Sequence, residues 1–182
     1  SLSSKNSFFS RLNFRCFFVL LFSWAQPAVA DNTEQPLFSN YKITEIASGL
    51  SSPWSMVQLN KNTYLVSERT GSLRLISKGN VSEPIKNVPS VFARSQGGLM
   101  DLVLHPNFEQ NQWIYITYAF GKREQNALRL IRAKLQANQL VDQQELLTIA
   151  PWKDTPVHYG ARLTFLKDNS LLLTSGDGFD YR

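Results

Sequence analysis

One unit recurs three times along this chain: an apolar segment, a polar turn, and a second short run suited to a β-strand. Residues Trp54–Leu59 lead through Asn60-Lys61-Asn62 into Tyr64-Leu65-Val66-Ser67. Residues Leu99–Leu104 lead by way of Glu109-Gln110-Asn111 to Ile114-Tyr115-Ile116-Thr117-Tyr118, and Arg162–Leu166 through Lys167-Asp168-Asn169 to Leu171-Leu172-Leu173-Thr174-Ser175. The second runs are apolar and rich in β-forming residues, as suits strands covered on both faces. With Val66, Ile116 and Leu173 as equivalents, the spacings are 50 and 57 residues.

A repeat of that length, made of strands, points to an all-β chain built as the blades of a β-propeller. Further strands are expected at Leu73–Ser77, ending at the turn Lys78-Gly79-Asn80, and at Glu145–Ile149 before Pro151. Residues Ala127–Leu135 fit two patterns: Leu128, Ile131 and Leu135 have helical spacing, whereas Leu128 and Leu130 alternate around Arg129. Strand is the reading adopted, because the neighbours are strands. At about 50 residues per blade a six-bladed ring needs on the order of 300 residues. The 152 residues after Ala30 supply two blades and the start of a third. A start at Ser1 and a stop just after a strand give the expectation of a chain truncated at both ends.

The N-terminus has the layout of a secretory signal. Lys5, Arg11 and Arg15 precede an apolar run from Cys16 to Ala25, and the small residues Ala28-Val29-Ala30 follow. The run covers ten residues, against roughly 20 for a helix that stays in a bilayer. Residues 1–30 are therefore expected to be removed, leaving a periplasmic or secreted protein without a membrane anchor. Residues 31–40 then form a polar, exposed lead-in, and 41–182 the blades. Cys16, the one cysteine, lies in the segment to be removed, so the mature chain has no thiol for a disulfide, a metal or nucleophilic catalysis. Cleavage lowers Lys plus Arg from 19 to 16 against 14 acids, and the net charge from +5 to +2. No dense basic cluster remains, which argues against nucleic acid or an acidic membrane as partner.

Candidates for proton transfer reduce to carboxylates and two histidines, and two histidines without a thiol give little basis for a zinc site. His105, in Leu104-His105-Pro106-Asn107-Phe108, sits at a turn between strands and reads as a loop cap. His158 lies in Thr155-Pro156-Val157-His158-Tyr159-Gly160, which leads into the strand at Arg162, where a propeller places side chains facing its central channel. A neutral imidazole there would accept a hydroxyl proton at ordinary pH. By composition alone an ordinary loop histidine is the simpler reading, and Asp177 alone is an ordinary Gly-Asp-Gly turn. Together they are more informative, since Asp177 ends the partner strand of the same hairpin and a carboxylate fixes the tautomer of a base.

Five ordered motifs carry a family resemblance: Pro53-Trp54-Ser55-Met56, Ser67-Glu68-Arg69-Thr70-Gly71, Gln96-Gly97-Gly98-Leu99-Met100-Asp101-Leu102 with His105-Pro106-Asn107-Phe108, His158-Tyr159-Gly160-Ala161-Arg162-Leu163, and Gly176-Asp177. Together they resemble the soluble quinoprotein glucose/aldose sugar dehydrogenases. That resemblance implies a six-bladed propeller holding pyrroloquinoline quinone (PQQ), with calcium, and passing a hydride from the anomeric carbon of a sugar to the quinone. An external electron acceptor would then reoxidise the cofactor.

By the same resemblance His158 matches the catalytic base, Asp177 its supporting carboxylate and Gln96 a cofactor-contacting glutamine. Gly97-Gly98 would let backbone approach the cofactor. The cationic cofactor clamps and the calcium loop would fall after residue 182, and Gly178-Phe179-Asp180-Tyr181-Arg182 departs from the usual continuation after Gly-Asp. Two other classes stay open: a non-catalytic binding propeller, and a metal-dependent lactonase, which would need inward acidic ligands that the sequence does not display.

Overall fold

The computed structural model describes residues 41–179; the expected signal segment, the lead-in at 31–40 and residues 180–182 lie outside the described residues. Every element belongs to one unit, Ile43–Arg182. Strands β1 (Pro53–Asn60), β2 (Thr63–Glu68), β3 (Ser72–Ser77) and β4 (Asn80–Val81) form one antiparallel sheet in chain order. A second sheet follows the same plan with β5 (Leu99–Leu104), β6 (Trp113–Lys122), β7 (Gln125–Gln136) and β8 (Gln139–Thr148). A hairpin of β9 (Gly160–Phe165) and β10 (Leu171–Ser175) starts a third. These are two four-stranded propeller blades and the first hairpin of the next. Val66, Ile116 and Leu173 occupy the second strand each time, opposite Met56, Leu102 and Leu163.

The continuous apolar run of β6 is explained by what covers it. Ile114, Ile116 and Tyr118 join Leu65, Leu73, Leu99 and Leu102 in the cluster between the first two blades. Tyr115, on the other face, packs with Leu130 and Leu163 toward the third hairpin. A strand buried on both faces loses the alternation that marks a half-exposed one, and each fully buried Ile contributes about 1.5–3 kcal/mol. The two-way pattern at 127–135 resolves as strand β7, paired along its length with β6.

A polar joint ties the first strands of the three sheets together. Asp101 on β5 is 2% exposed. Its carboxylate accepts from the Ser55 hydroxyl of β1 (2.8 Å), and from Arg162 Nη1 (3.0 Å) and the Leu163 amide (2.7 Å) of β9. Beside it, Thr117 Oγ1 donates to the Ala161 carbonyl at 2.8 Å, and Ser67 Oγ to the Met100 carbonyl at 2.7 Å.

Three local readings are corrected. The strand expected at Glu145–Ile149 is the last part of β8, which runs from Gln139 to Thr148; residues 142–147 face solvent, and the polar Asp142-Gln143-Gln144 hid the earlier part of the strand. The polar turn at 109–111 is a single helical turn, α1 (Phe108–Asn111). Asn80, assigned to a turn, opens the short β4.

On the faces away from blade 2, Trp54 and Met56 of β1 and Leu172 of β10 remain 50, 51 and 49% exposed. Residues 43–179 produced without further blades are therefore expected to self-associate or to stay loosely packed. A sharp, cooperative unfolding transition of a monomer in calorimetry would contradict this.

Candidate functional site

The register of the third hairpin builds the site. Ser175 at the end of β10 pairs with Gly160 at the start of β9, so the residues just beyond, Asp177 and His158, emerge side by side. His158 Nδ1 lies 2.7 Å from Asp177 Oδ1, and both side chains are 39% exposed. A carboxylate only accepts, so the neutral ring carries its proton on Nδ1 and keeps a lone pair on Nε2. Asp177 Oδ1 also accepts the Phe179 amide at 2.9 Å, and the Phe179 ring meets the imidazole edge-on at 5.4 Å.

Backbone geometry holds the pair in place. His158 adopts φ +53°, a left-handed conformation uncommon for a side-chain-bearing residue. Gly176 passes so close that a Cβ there would collide with the His158 carbonyl. This is a position where glycine is required by a neighbouring backbone.

Gln96 reaches the same place from the segment before β5. Its backbone N–H donates to the Pro156 carbonyl (3.1 Å), and its side-chain Oε1 accepts the His158 amide (2.9 Å). The Arg69 guanidinium in turn donates to the carbonyls on either side of Gln96, those of Ser95 and Gly97, each at 3.0 Å. The three site residues singled out in the sequence, His158, Asp177 and Gln96, are thus brought together. Gly97 and Gly98 are also required by the fold itself, apart from the cofactor approach expected for them. A Cβ at Gly97 would sit 2.6 Å from the Phe92 carbonyl, and one at Gly98 would strike the Arg69 carbonyl, so the chain's own backbone demands both glycines.

His105 is held as a cap: its Nδ1 accepts the Asn107 amide at 3.0 Å and lies 2.8 Å from Asn111 Nδ2, and its ring packs with Tyr115 and Phe165.

The residues beneath His158 carry no signal in the sequence. A cavity of about 220 Å³ is lined by His158, Asp177, Tyr159 and Lys153 among others. Lys153 is 8% exposed; its ammonium donates to the Val157 carbonyl and rests 3.7 Å from the centre of the Tyr159 ring. Burial lowers its pKa to about 8, partly opposed by the negative charge of Asp177. The Tyr159 hydroxyl donates to Asn126 Oδ1 at 2.5 Å, and burial pushes it up to about 12. Lys153 sits alone in Pro151-Trp152-Lys153-Asp154, which reads as a solvated loop. Its burial follows from a backbone bridge to Asn126, 27 positions earlier, which no local pattern announces.

An imidazole oriented by a carboxylate at a cavity edge is equipped to take a proton from a hydroxyl. For a bound quinone the residues present fit in one respect: Gln96 uses its oxygen on His158, which leaves its amide NH₂ as a donor beside the base. Among the described residues no group of three or more histidine, cysteine or carboxylate side chains is placed to hold a metal ion; the resemblance puts the calcium loop after residue 182.

The chain is 37% identical over 146 residues to an uncharacterized protein of Synechocystis, covering 75% of this chain and 35% of that protein. Its fold matches the soluble aldose sugar dehydrogenase from Escherichia coli, solved in the apo-form, at a TM-score of 0.66 and 31% identity, over 71% of this chain and 39% of that one. It also shares the fold of an aldose sugar dehydrogenase from Streptomyces coelicolor, solved in its PQQ-bound form, at a TM-score of 0.64 and 23% identity, over 75% of this chain and 41% of that one. The chain thus spans between a third and a half of the length of these relatives. Residues 50–182, from the last loop before β1 to the final residue, match the model of the glucose/sorbosone dehydrogenases, and the chain belongs to that family.

Proposed function

We propose that the complete protein is an exported, PQQ-dependent aldose sugar dehydrogenase that converts the anomeric C–OH of a sugar to a lactone. The observation that carries this reading is the His158–Asp177 pair at 2.7 Å in a chain of the glucose/sorbosone dehydrogenase family. The PQQ-bound fold neighbour adds support for the cofactor.

In this reading His158 Nε2 takes the hydroxyl proton as the anomeric C–H bond breaks, and the imidazolium that forms is stabilised by Asp177 through Nδ1–H. The Gln96 side chain holds the His158 backbone through its oxygen and offers its NH₂ to the cofactor. Bound PQQ supplies the two-electron acceptor, and an external acceptor regenerates it. The rest of the cofactor contacts, calcium ligands included, would come from beyond residue 182. Removal of residues 1–30 would deliver the protein to the periplasm or the medium; among the described residues no helix is long and apolar enough to cross a membrane.

The test is made on full-length protein reconstituted with PQQ and calcium. Aldoses should be oxidised to lactones in the presence of an artificial acceptor, and omission of PQQ should abolish turnover. Sugar binding without turnover across a panel of aldoses would instead identify a binding propeller.

A further inference from the structure

We propose that Lys153 is a positioning residue of the His158 site: its ammonium, seated on the Tyr159 ring and bonded to the Val157 carbonyl, locks the loop that turns His158 toward Asp177. The inference rests on the reading of His158 as the base.

The contacts of Lys153 bracket the base in sequence and in space. Val157 precedes His158 and Tyr159 follows it, and Lys153 engages both, one by a hydrogen bond to the carbonyl and the other through the face of its ring. The Tyr159 ring is anchored from behind by Asn126, whose backbone pairs in both directions with that of Lys153 at 2.7 and 2.8 Å. The left-handed backbone of His158 is uncommon and persists only when its surroundings over-determine it. Gln96 on one side and Lys153 on the other supply that determination. A nearly buried ammonium with one hydrogen-bond acceptor carries a desolvation cost that the face of the Tyr159 ring offsets in part, so its contacts to the two residues flanking His158 are what hold it there.

The charge matters as well as the contacts. Asp177, Tyr159 and His158 are the titratable groups that share the cavity with Lys153, and its positive charge acts on Asp177. A cation there competes with the imidazolium for the same carboxylate, so its removal makes His158 easier to protonate. Tyr159 stays neutral throughout the range concerned.

The experiment uses the full-length protein with Lys153→Met and Lys153→Arg. In the cofactor-free protein, imidazole NMR should show the His158 titration midpoint moving upward by about 0.5–1 unit in Lys153→Met, the scale of one nearby charge in a partly wet site. Lys153→Arg should remain close to the parent. With PQQ loaded, Lys153→Met should lower kcat about tenfold with little change in KM, the mark of lost orientation, and Lys153→Arg should recover most of it.

The unsubstituted protein gives a second reading if Lys153→Met fails to fold. The downfield Nδ1 proton of His158 should broaden as pH rises through about 8, where Lys153 loses its charge, and should persist to higher pH in Lys153→Arg. An unchanged His158 midpoint in folded Lys153→Met, or an Nδ1 proton indifferent to pH across that range, overturns the proposal. Because both NMR readings are made without cofactor, they decide the role of Lys153 even if substitution of His158 shows that it is not the base.

Discussion

In the PQQ-loaded full-length protein, His158→Ala and His158→Gln should lower the rate of sugar oxidation by about 10²–10⁴-fold, the usual size of a general-base contribution. Cofactor binding should be largely retained, because the imidazole acts on the sugar hydroxyl. Asp177→Asn should produce a smaller loss, since the 2.7 Å contact to Nδ1 survives in form while the charge that stabilises the imidazolium is gone. Gln96→Ala will not give the clean loss of cofactor retention that its family role implies. Its Oε1 holds the His158 amide, so both cofactor retention and turnover should fall. Near-normal turnover in both His158 variants, with PQQ bound, would return His158 to the role of an ordinary loop residue.

Asp101→Ala should destabilise the protein by about 2–4 kcal/mol, because it leaves two part-buried or buried donors without their acceptor, at about 1–3 kcal/mol each. The carboxylate collects the Ser55 hydroxyl, the Arg162 guanidinium and the Leu163 amide, and deleting it strands donors from two other sheets. Arg162→Ala should cost much less: its side chain is 70% exposed and can be replaced by water. Denaturant midpoints of the two full-length variants measure the contrast. Equal midpoints would mean that Asp101 is not the joint its contacts describe.

How much of this was legible depended on whether a residue's partners were near in sequence. Strand β6 was plain because both its faces are buried and every residue had to be apolar or β-forming. Strand β8 was not, because its outer stretch meets water and is kept in place by backbone pairing and by polar side-chain contacts to β7 such as Arg132–Gln144 and Lys134–Asp142. The His158–Asp177 pair was readable because a hairpin brings its two ends together and their spacing survives in the sequence. The Gln96 bond to His158 spans 62 positions and runs through a main-chain amide, which has no side-chain signature. Lys153 was invisible for a related reason: a lysine between tryptophan and aspartate looks solvated until a backbone bridge to Asn126 buries it. Asp101 was visible only as a letter in a motif, and its value lies in contacts to two other blades.

The fastening of His158 across a seam makes its geometry a gauge of assembly. Its ring is held by Asp177 of its own hairpin, while its main chain is held by Gln96, which belongs to the segment entering the preceding blade. Sliding one blade past the other by an ångström would stretch one bond or the other beyond useful length. A ring that is poorly closed would still contain every site residue and yet fail to present a competent base, so turnover in this architecture reports how well the blades are seated as much as which side chains are present.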